Sequence, residues 1–212
     1  MGNKVISKAV INRLPRYYRY LGDLLNNKVD KISSKDLSEL MNVTASQIRQ
    51  DLNNFGVFGQ QGYGYNVEFL YNEIAKILNL HKKHNIIIVG AGNLGSAIAN
   101  YSDFEKRGFV IVGIFDTNPA LIGKKINDIE IMDFSRIEEF LKDIDVHIGT
   151  ITVPKAHAVD VANVLVGAGI KAIWNFAPVD LALDEDILVE NVHLTASLMQ
   201  LSYNIGKDNL NK

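Results

Sequence analysis

Six residues, Gly90-Ala91-Gly92-Asn93-Leu94-Gly95, follow the apolar run Ile86 to Val89 and lead into helical spacing through Ala97, Ile98 and Tyr101. Three glycines so placed suit a pyrophosphate. The first permits a tight turn, the second lets the phosphates approach the backbone, and the third lets the following helix pack on the strand. Amides at the start of that helix then face the anion. A second apolar run, FVIVGIFD, ends in Asp116, 21 residues beyond Gly95. An acid there accepts hydrogen bonds from an adenosine ribose diol and repels a 2′-phosphate, so NAD(H) is expected rather than NADP(H).

A second set of residues suits base edges instead of phosphates. Ser46, Gln47, Arg49 and Gln50 lie near the start of a short helical pattern that Thr44 can cap, with Ile48, Leu52 and Phe55 on the opposite side. Gln can pair bidentately with adenine, Arg with guanine, and Ser with a base or a phosphate.

Other chemistry is poorly supplied. The chain has no cysteine, which removes thiolate metal sites, thiol nucleophiles and disulfides. Its five histidines, His81, His84, His147, His157 and His193, have no metal-ligand spacing, and Lys82 and Lys83 between the first two would repel a cation. No metal is expected. No Lys-Tyr or His-Asp constellation accompanies the glycine turn, and His157 reads as a surface position of a helical stretch. With no catalytic residue to assign and no room for a substrate domain, the dinucleotide is expected to be read and not turned over.

The elements that must position these residues fall into two groups. Val10, Leu14, Tyr17, Tyr18, Leu21, Leu24 and Leu25 mark a helical face that Pro15 interrupts, which predicts a short helical piece and then a longer helix from about Pro15 to Asn26. Ser33 or Ser34 can cap a helix with Leu37, Leu40 and Met41 inward, and Asn42-Val43 leaves only a tight turn before the helix of Gln47. That is a helix-turn-helix whose second helix enters a major groove. FGVFGQQGYGYNV alternates glycine with aromatics, as a hairpin wing with a tight tip around Gly59 to Gly62 would, and carries Gln61 and Tyr63. NVEFLYNEIAKILNL then returns to helix through Phe69, Leu70, Ile74, Ile77 and Leu78, with Asn66 as its cap.

After residue 85 the pattern is strand and helix in alternation: IEIMDFSRIEEFLK, DVHIGTITVP, HAVDVANVLVGAG and KAIWNFAP. A doubly wound sheet follows, and Thr152, Val153, Pro154, Asn175 and Phe176 reach the same carboxyl edge as the glycine turn. The closing segment LTASLMQLSYNI is helical, with Leu198, Leu201 and Ile205 on one stripe suited to a partner chain.

Charge divides at the same place. Residues 1–85 hold 12 Lys and Arg against 7 Asp and Glu, leaving 10 against 17 for the rest. The basic part, with Arg13, Arg16 and Arg19 preceding the first acid Asp23, suits a polyanion. The expected fold is therefore α/β in two domains: an N-terminal winged helix-turn-helix over 1–83 and a Rossmann doubly wound parallel sheet over 84–192. A dimerisation helix over 193–212 completes it. No apolar run reaches the roughly 18 residues of a membrane span, and the N-terminus lacks a secretory pattern, so a cytoplasmic location is expected.

RLPRYYRYL, SSKDLSELMNVTASQIRQDLNNFG with its GYGY wing, IIIVGAGNLGSAIANY, ITVP and AGIKAIWNFAPV together resemble the Rex family of bacterial redox-sensing repressors over nearly the whole chain. The resemblance implies a homodimer on a palindromic operator that lets go when NADH rises, with NAD+ binding more weakly or tolerated on DNA. It also implies exchange of the C-terminal helices between subunits. It places Gly90 to Gly95, Tyr101, Asp116, Thr152 to Pro154, Asn175 and Phe176 at the nucleotide, with Tyr101 by the nicotinamide. Arg13, Arg16, Ser46, Gln47, Arg49, Gln50, Gln61 and Tyr63 fall at the DNA, and Arg19, Tyr101 and His193 at the switch between domains.

The chain departs from the family pattern in two places. His193 stands where an acid is expected to pair with Arg19; as a hydrogen-bonding substitute it predicts a response that changes with pH between 6 and 8. Gln50 and Gln61 stand where basic residues are expected, which predicts a shallower salt dependence and, through Gln50, a preference for adenine-rich half-sites. Two alternatives remain open: an NAD(H)-dependent reductase with an accessory DNA-binding domain, and a regulator sensing another adenine nucleotide such as coenzyme A.

Overall fold

The computed structural model describes residues 6–56, 59–60 and 64–210, without the side chains of 59–60 and 207–210. The chain divides into two compact units, Met1–Lys82 and Lys83–Lys212.

In the first unit the interruption at Pro15 appears as expected. Helix α1 spans Lys8–Ile11, and α2 spans Leu14–Asn26 with the proline in its first turn, where a missing N–H costs nothing. A two-residue strand, β1 (Lys31–Ile32), precedes α3 (Ser34–Met41), whose cap Ser33 accepts from the Asp36 amide. Asn42, left-handed at φ 51° and ψ 52°, ends α3. The turn is short because asparagine tolerates that conformation. Helix α4 (Ala45–Leu52) begins at once, capped by Thr44 Oγ1 on the Gln47 amide at 3.1 Å.

Strands β2 (Gly59–Gln60) and β3 (Gly64–Asn66) pair antiparallel, with β1 on the far side of β3, in the order β1-β3-β2. Gln61 and Tyr63 of the predicted wing lie outside the described residues. Helix α5 (Val67–Ile77), capped by Asn66, closes the unit. Tyr17, Leu21, Leu37, Met41, Ile48, Leu52, Leu70 and Ile74 form its core. Three expected inward positions are wrong in detail. Leu40 is 48% exposed because the short α3 buries Leu37, Ser38 and Met41 instead. Phe69 and Ile77 stand outside because the buried stripe of α5 runs through Val67, Leu70 and Ile74.

The second unit is built on seven strands. Parallel β4 (His84–Val89) is followed by α6 (Asn93–Ala99), α7 (Asp103–Lys106) and β5 (Phe109–Asp116). Next come β6 (Lys125–Ile126), β7 (Ile129–Asp133), a 3-10 turn and α8 (Ile137–Asp143). The chain continues through β8 (Ile148–Ile151), α9 (Lys155–Gly167), β9 (Ala172–Asn175), β10 (Leu188–Asn191) and α10 (Leu194–Leu210).

The sheet order is β10-β9-β8-β4-β5-β7-β6, parallel except at the β6–β7 edge. One apolar cluster, with Ile87, Phe115, Ile151 and Leu165, packs apart from another with Ile88, Ile98, Ile114 and Ile131. Consecutive residues of β4 belong to different clusters because a strand covered on both sides buries alternate side chains against opposite layers. Strand order reverses between β4 and β8. The crevice beyond their carboxyl ends is where such sheets bind ligands.

Candidate functional site

At that crevice Gly90 takes φ +104°, and a Cβ there would lie 2.8 Å from the Thr152 carbonyl oxygen. The close approach joins the two switch-point strands. Thr152 reinforces it: its Oγ1 donates to Gly90 O at 2.7 Å and to Val89 O at 3.0 Å. A Cβ on Gly95 would overlap the Gly90 carbonyl, so the third glycine is required for the helix to pack. Gly92 differs, because a Cβ there would meet nothing within 4 Å. Protein packing therefore leaves room at Gly92 for a ligand to approach the backbone.

Asp116, at the end of β5, accepts from the Ala91 amide at 2.6 Å through Oδ2 and from the Asn118 amide at 2.8 Å through Oδ1. It is thus fixed against the glycine turn with lone pairs remaining for a diol. A cleft of about 410 Å³ opens here, bounded by Gly90, Gly92, Asp116, Thr152, Val153 and Pro154 among others. Its titratable lining is Asp116, Asp160 and His157, with no Lys or Arg among the described residues. Sequence reasoning missed Thr117, Phe134 and Asp160 in this wall; His157 is exposed on α9, as expected, and also lines the cleft. The i,i+3 spacing of His157 and Asp160 on α9 was the available signal.

The other expected nucleotide residues are not among those that bound the cleft. Ala91, Asn93, Leu94 and Gly95 belong to the turn and to α6 behind it. Tyr101 is 55% exposed and meets Phe104 edge-on at 4.8 Å between centroids. Phe104 meets Trp174 at 5.7 Å, and Trp174 meets Phe176 at 4.6 Å, so Tyr101 and Phe176 end one aromatic row. Asn175 is turned into the protein. Its Nδ2 donates to Val179 O at 2.7 Å and Asn191 Oδ1 at 2.8 Å, and its Oδ1 accepts from the Ala177 amide, so its side chain braces the loop after β9.

In the winged unit the basic residues are less alike than their sequence suggests. Arg13 forms a two-pronged pair with Asp51 of α4, Nε to Oδ2 at 2.6 Å and Nη2 to Oδ1 at 2.7 Å, and Asp51 is fully buried. The Tyr17 hydroxyl also donates to Asp51 Oδ2 at 3.0 Å, and Gln47 Nε2 donates to Oδ1 at 2.7 Å. Burial pushes the Asp51 carboxyl up, but the hydrogen bonds from Arg13, Gln47 and Tyr17 outweigh it and hold it below the usual aspartate range. Burial and then the bond to Asp51 raise the Tyr17 phenol. Arg13 was expected at DNA, yet much of its guanidinium serves this internal strut.

Arg16 donates to the Met41 carbonyl at 2.7 Å, beside the turn between α3 and α4. Arg49, exposed, donates to Ser34 and Ser46. Ser46 and Gln50 are exposed on the same helix. Arg19 is exposed over the Tyr20 ring at 5.3 Å. In the second unit His193, just before α10, has Nε2 3.0 Å from Asp180 Oδ1.

A capped second helix with polar side chains facing out, a paired wing, and a switch-point glycine turn with an acid at the next strand end define a class: transcriptional regulators that join a DNA-reading unit to a nucleotide-binding unit. The chain is 59% identical over 208 residues to the redox-sensing transcriptional repressor Rex of Thermoanaerobacter sp., covering 98% of this chain and 93% of that one. It is 60% identical over 198 residues to that of Clostridium novyi, covering 93% and 94%. It belongs to the Rex family of redox-sensing transcriptional repressors.

Family profiles described as "CoA binding domain" and "Putative DNA-binding protein N-terminus" match residues 81–179 and 5–53. Among solved structures, RSP in complex with β-NAD+ and operator DNA is similar with TM-score 0.92 and 59% identity, covering 98% of this chain and 96% of that one. RSP with β-NADH gives 0.91 and 56%, covering 98% of each.

Proposed function

We propose that this chain acts as a cytoplasmic homodimer that binds a palindromic operator and lets go when NADH enters the cleft at Gly90–Gly95, so that the balance of NADH and NAD+ sets transcription. The observation that carries the reading is Gly92: a position open to a ligand, beside Asp116 fixed for a ribose diol, in a cleft with no Lys or Arg among the described residues that line it. A dinucleotide lacking a 2′-phosphate fits that chemistry. The row Tyr101, Phe104, Trp174, Phe176 offers an aromatic end for the nicotinamide. NADH lacks the positive charge of the oxidised ring, so an apolar end favours it, and differential affinity for DNA-competent and DNA-incompetent states shifts the population.

Dimerisation is supported by α10, where Leu194, Leu198, Met199, Leu201, Tyr203 and Ile205 are all more than half exposed. We assign 193–212 to that role, 84–192 to NAD(H) and 1–83 to DNA. Exchange of the helix between subunits belongs to the same proposal, as do Arg19, Tyr101 and His193 with its neighbour Asp180 as switch residues. No described helix is long and apolar enough to cross a membrane, and no described group of three or more His, Asp and Glu could hold a metal ion.

One other reading has an observation behind it. The profile over 81–179 bears the name of coenzyme A binding. Coenzyme A carries a phosphate on its adenosine ribose, and Asp116 opposes it there. Fluorescence anisotropy of the full chain on a palindromic operator, with NADH, NAD+, NADPH and coenzyme A added in turn, separates these. Release by micromolar NADH is expected. Release by coenzyme A alone would replace the reading, and no response to NADH would remove it.

A further inference from the structure

Gln47 occupies the first turn of the recognition helix, the part from which helix-turn-helix proteins reach base edges. A free glutamine can present either limb of its amide to a base. Gln47 cannot. Its Nε2 lies 2.7 Å from Asp51 Oδ1, and Asp51 is a fully buried carboxylate that also receives Arg13 twice and Tyr17 once. An ionised carboxylate only accepts hydrogen bonds, so the limb facing it must be the amide nitrogen. The opposite orientation would set Oε1 against Asp51, oxygen to oxygen, in a buried place. The backbone at Gln47 is tied as well, through Thr44.

We propose that Asp51 is a positioning residue that locks the Gln47 amide with Oε1 outward, so that Gln47 reads a base bearing an exocyclic amine, adenine or cytosine, at one position of each operator half-site. Adenine N6 and cytosine N4 are the donors of the major groove, whereas guanine O6 and thymine O4 are acceptors that would face Oε1 lone pair to lone pair. The proposal rests on operator binding by this chain. It adds the polarity of the contact, set by a residue that itself need not touch DNA.

The test uses the full chain and operator duplexes in which each adenine is replaced in turn by purine and each cytosine by 2-pyrimidinone, bases that lack only the exocyclic amine. Wild-type binding by anisotropy should weaken about three- to tenfold at one position of each half-site. Gln47→Leu should show no such loss there, and only that difference counts, because removing the amine also weakens the duplex itself. Asp51→Asn, which can turn an amide N–H toward Gln47, should tolerate guanine or thymine at the same position. If that variant does not fold, the comparison of wild type with Gln47→Leu decides alone. A Gln47-dependent preference for guanine or thymine, or no amine-dependent position that involves Gln47, overturns the proposal. Absence of operator binding by the wild type overturns the underlying reading instead.

Discussion

Asp51 is the residue on which the winged unit's polar interior turns. One carboxylate, fully buried, receives four hydrogen bonds from three side chains on two helices. Replacing it with alanine leaves Arg13 without its partner and should lower stability by about 3 kcal/mol in urea unfolding. The network also sets pH limits. Because the folded Asp51 carboxyl lies below its unfolded value of about 3.9, its stabilisation is complete above that value and is lost as the pH falls through the folded one. Tyr17 works in the other direction. Its phenol is raised, so its contribution is complete below about pH 10 and is lost as the pH rises through the folded value. Tyr17→Phe should therefore flatten the alkaline limb of stability against pH, at a cost of about 1.5–3 kcal/mol near neutrality for the lost bond to a charged group. None of this was legible in the sequence. Arg13 and Asp51 are 38 positions apart, and nothing in helical spacing says that a basic residue near the N-terminus turns inward.

The glycine turn shows at the level of elements how one motif holds two kinds of constraint. Gly95 is fixed by the fold, since a Cβ would overlap Gly90, while Gly92 is open. Gly95→Ala should destabilise the second unit. Gly92→Ala should leave thermal stability within about 0.5 kcal/mol of wild type while NADH affinity, by fluorescence titration, drops at least tenfold and operator binding without NADH persists. Equal losses of stability in both variants would remove the distinction. Elements of this kind were largely legible: the strand, the glycine spacing, Asp116 and the caps Ser33, Thr44 and Asn66 all lie where local chemistry put them. What was hidden depends on partners distant in sequence. β1 is too short to signal itself, β10 (LVEN) ends in a polar pair in place of an apolar run, and Leu40 and Phe69 fit a helical stripe that tertiary packing did not use.

At the scale of the whole molecule, each unit has its own apolar core, and the basic excess of residues 1–85 belongs to the one that carries the recognition helix. The exposed leucines of α10 are the feature that a single copy leaves unexplained. Leu198→Glu with Leu201→Glu should give a monomer by sedimentation and weaken operator binding at least a hundredfold, since two half-sites then no longer act together. A double variant that remains dimeric would place the subunit contact elsewhere. The tie between Asp51 and Gln47 reaches further, into the history of the target promoters. Changing residue 47 to follow a drifting operator base disturbs Arg13, Tyr17 and the fold beneath them, whereas Gln50 stands exposed on the same helix. Across a lineage, the base facing Gln47 should stay frozen in every promoter under control, and diversification of the regulon should gather at the neighbouring positions.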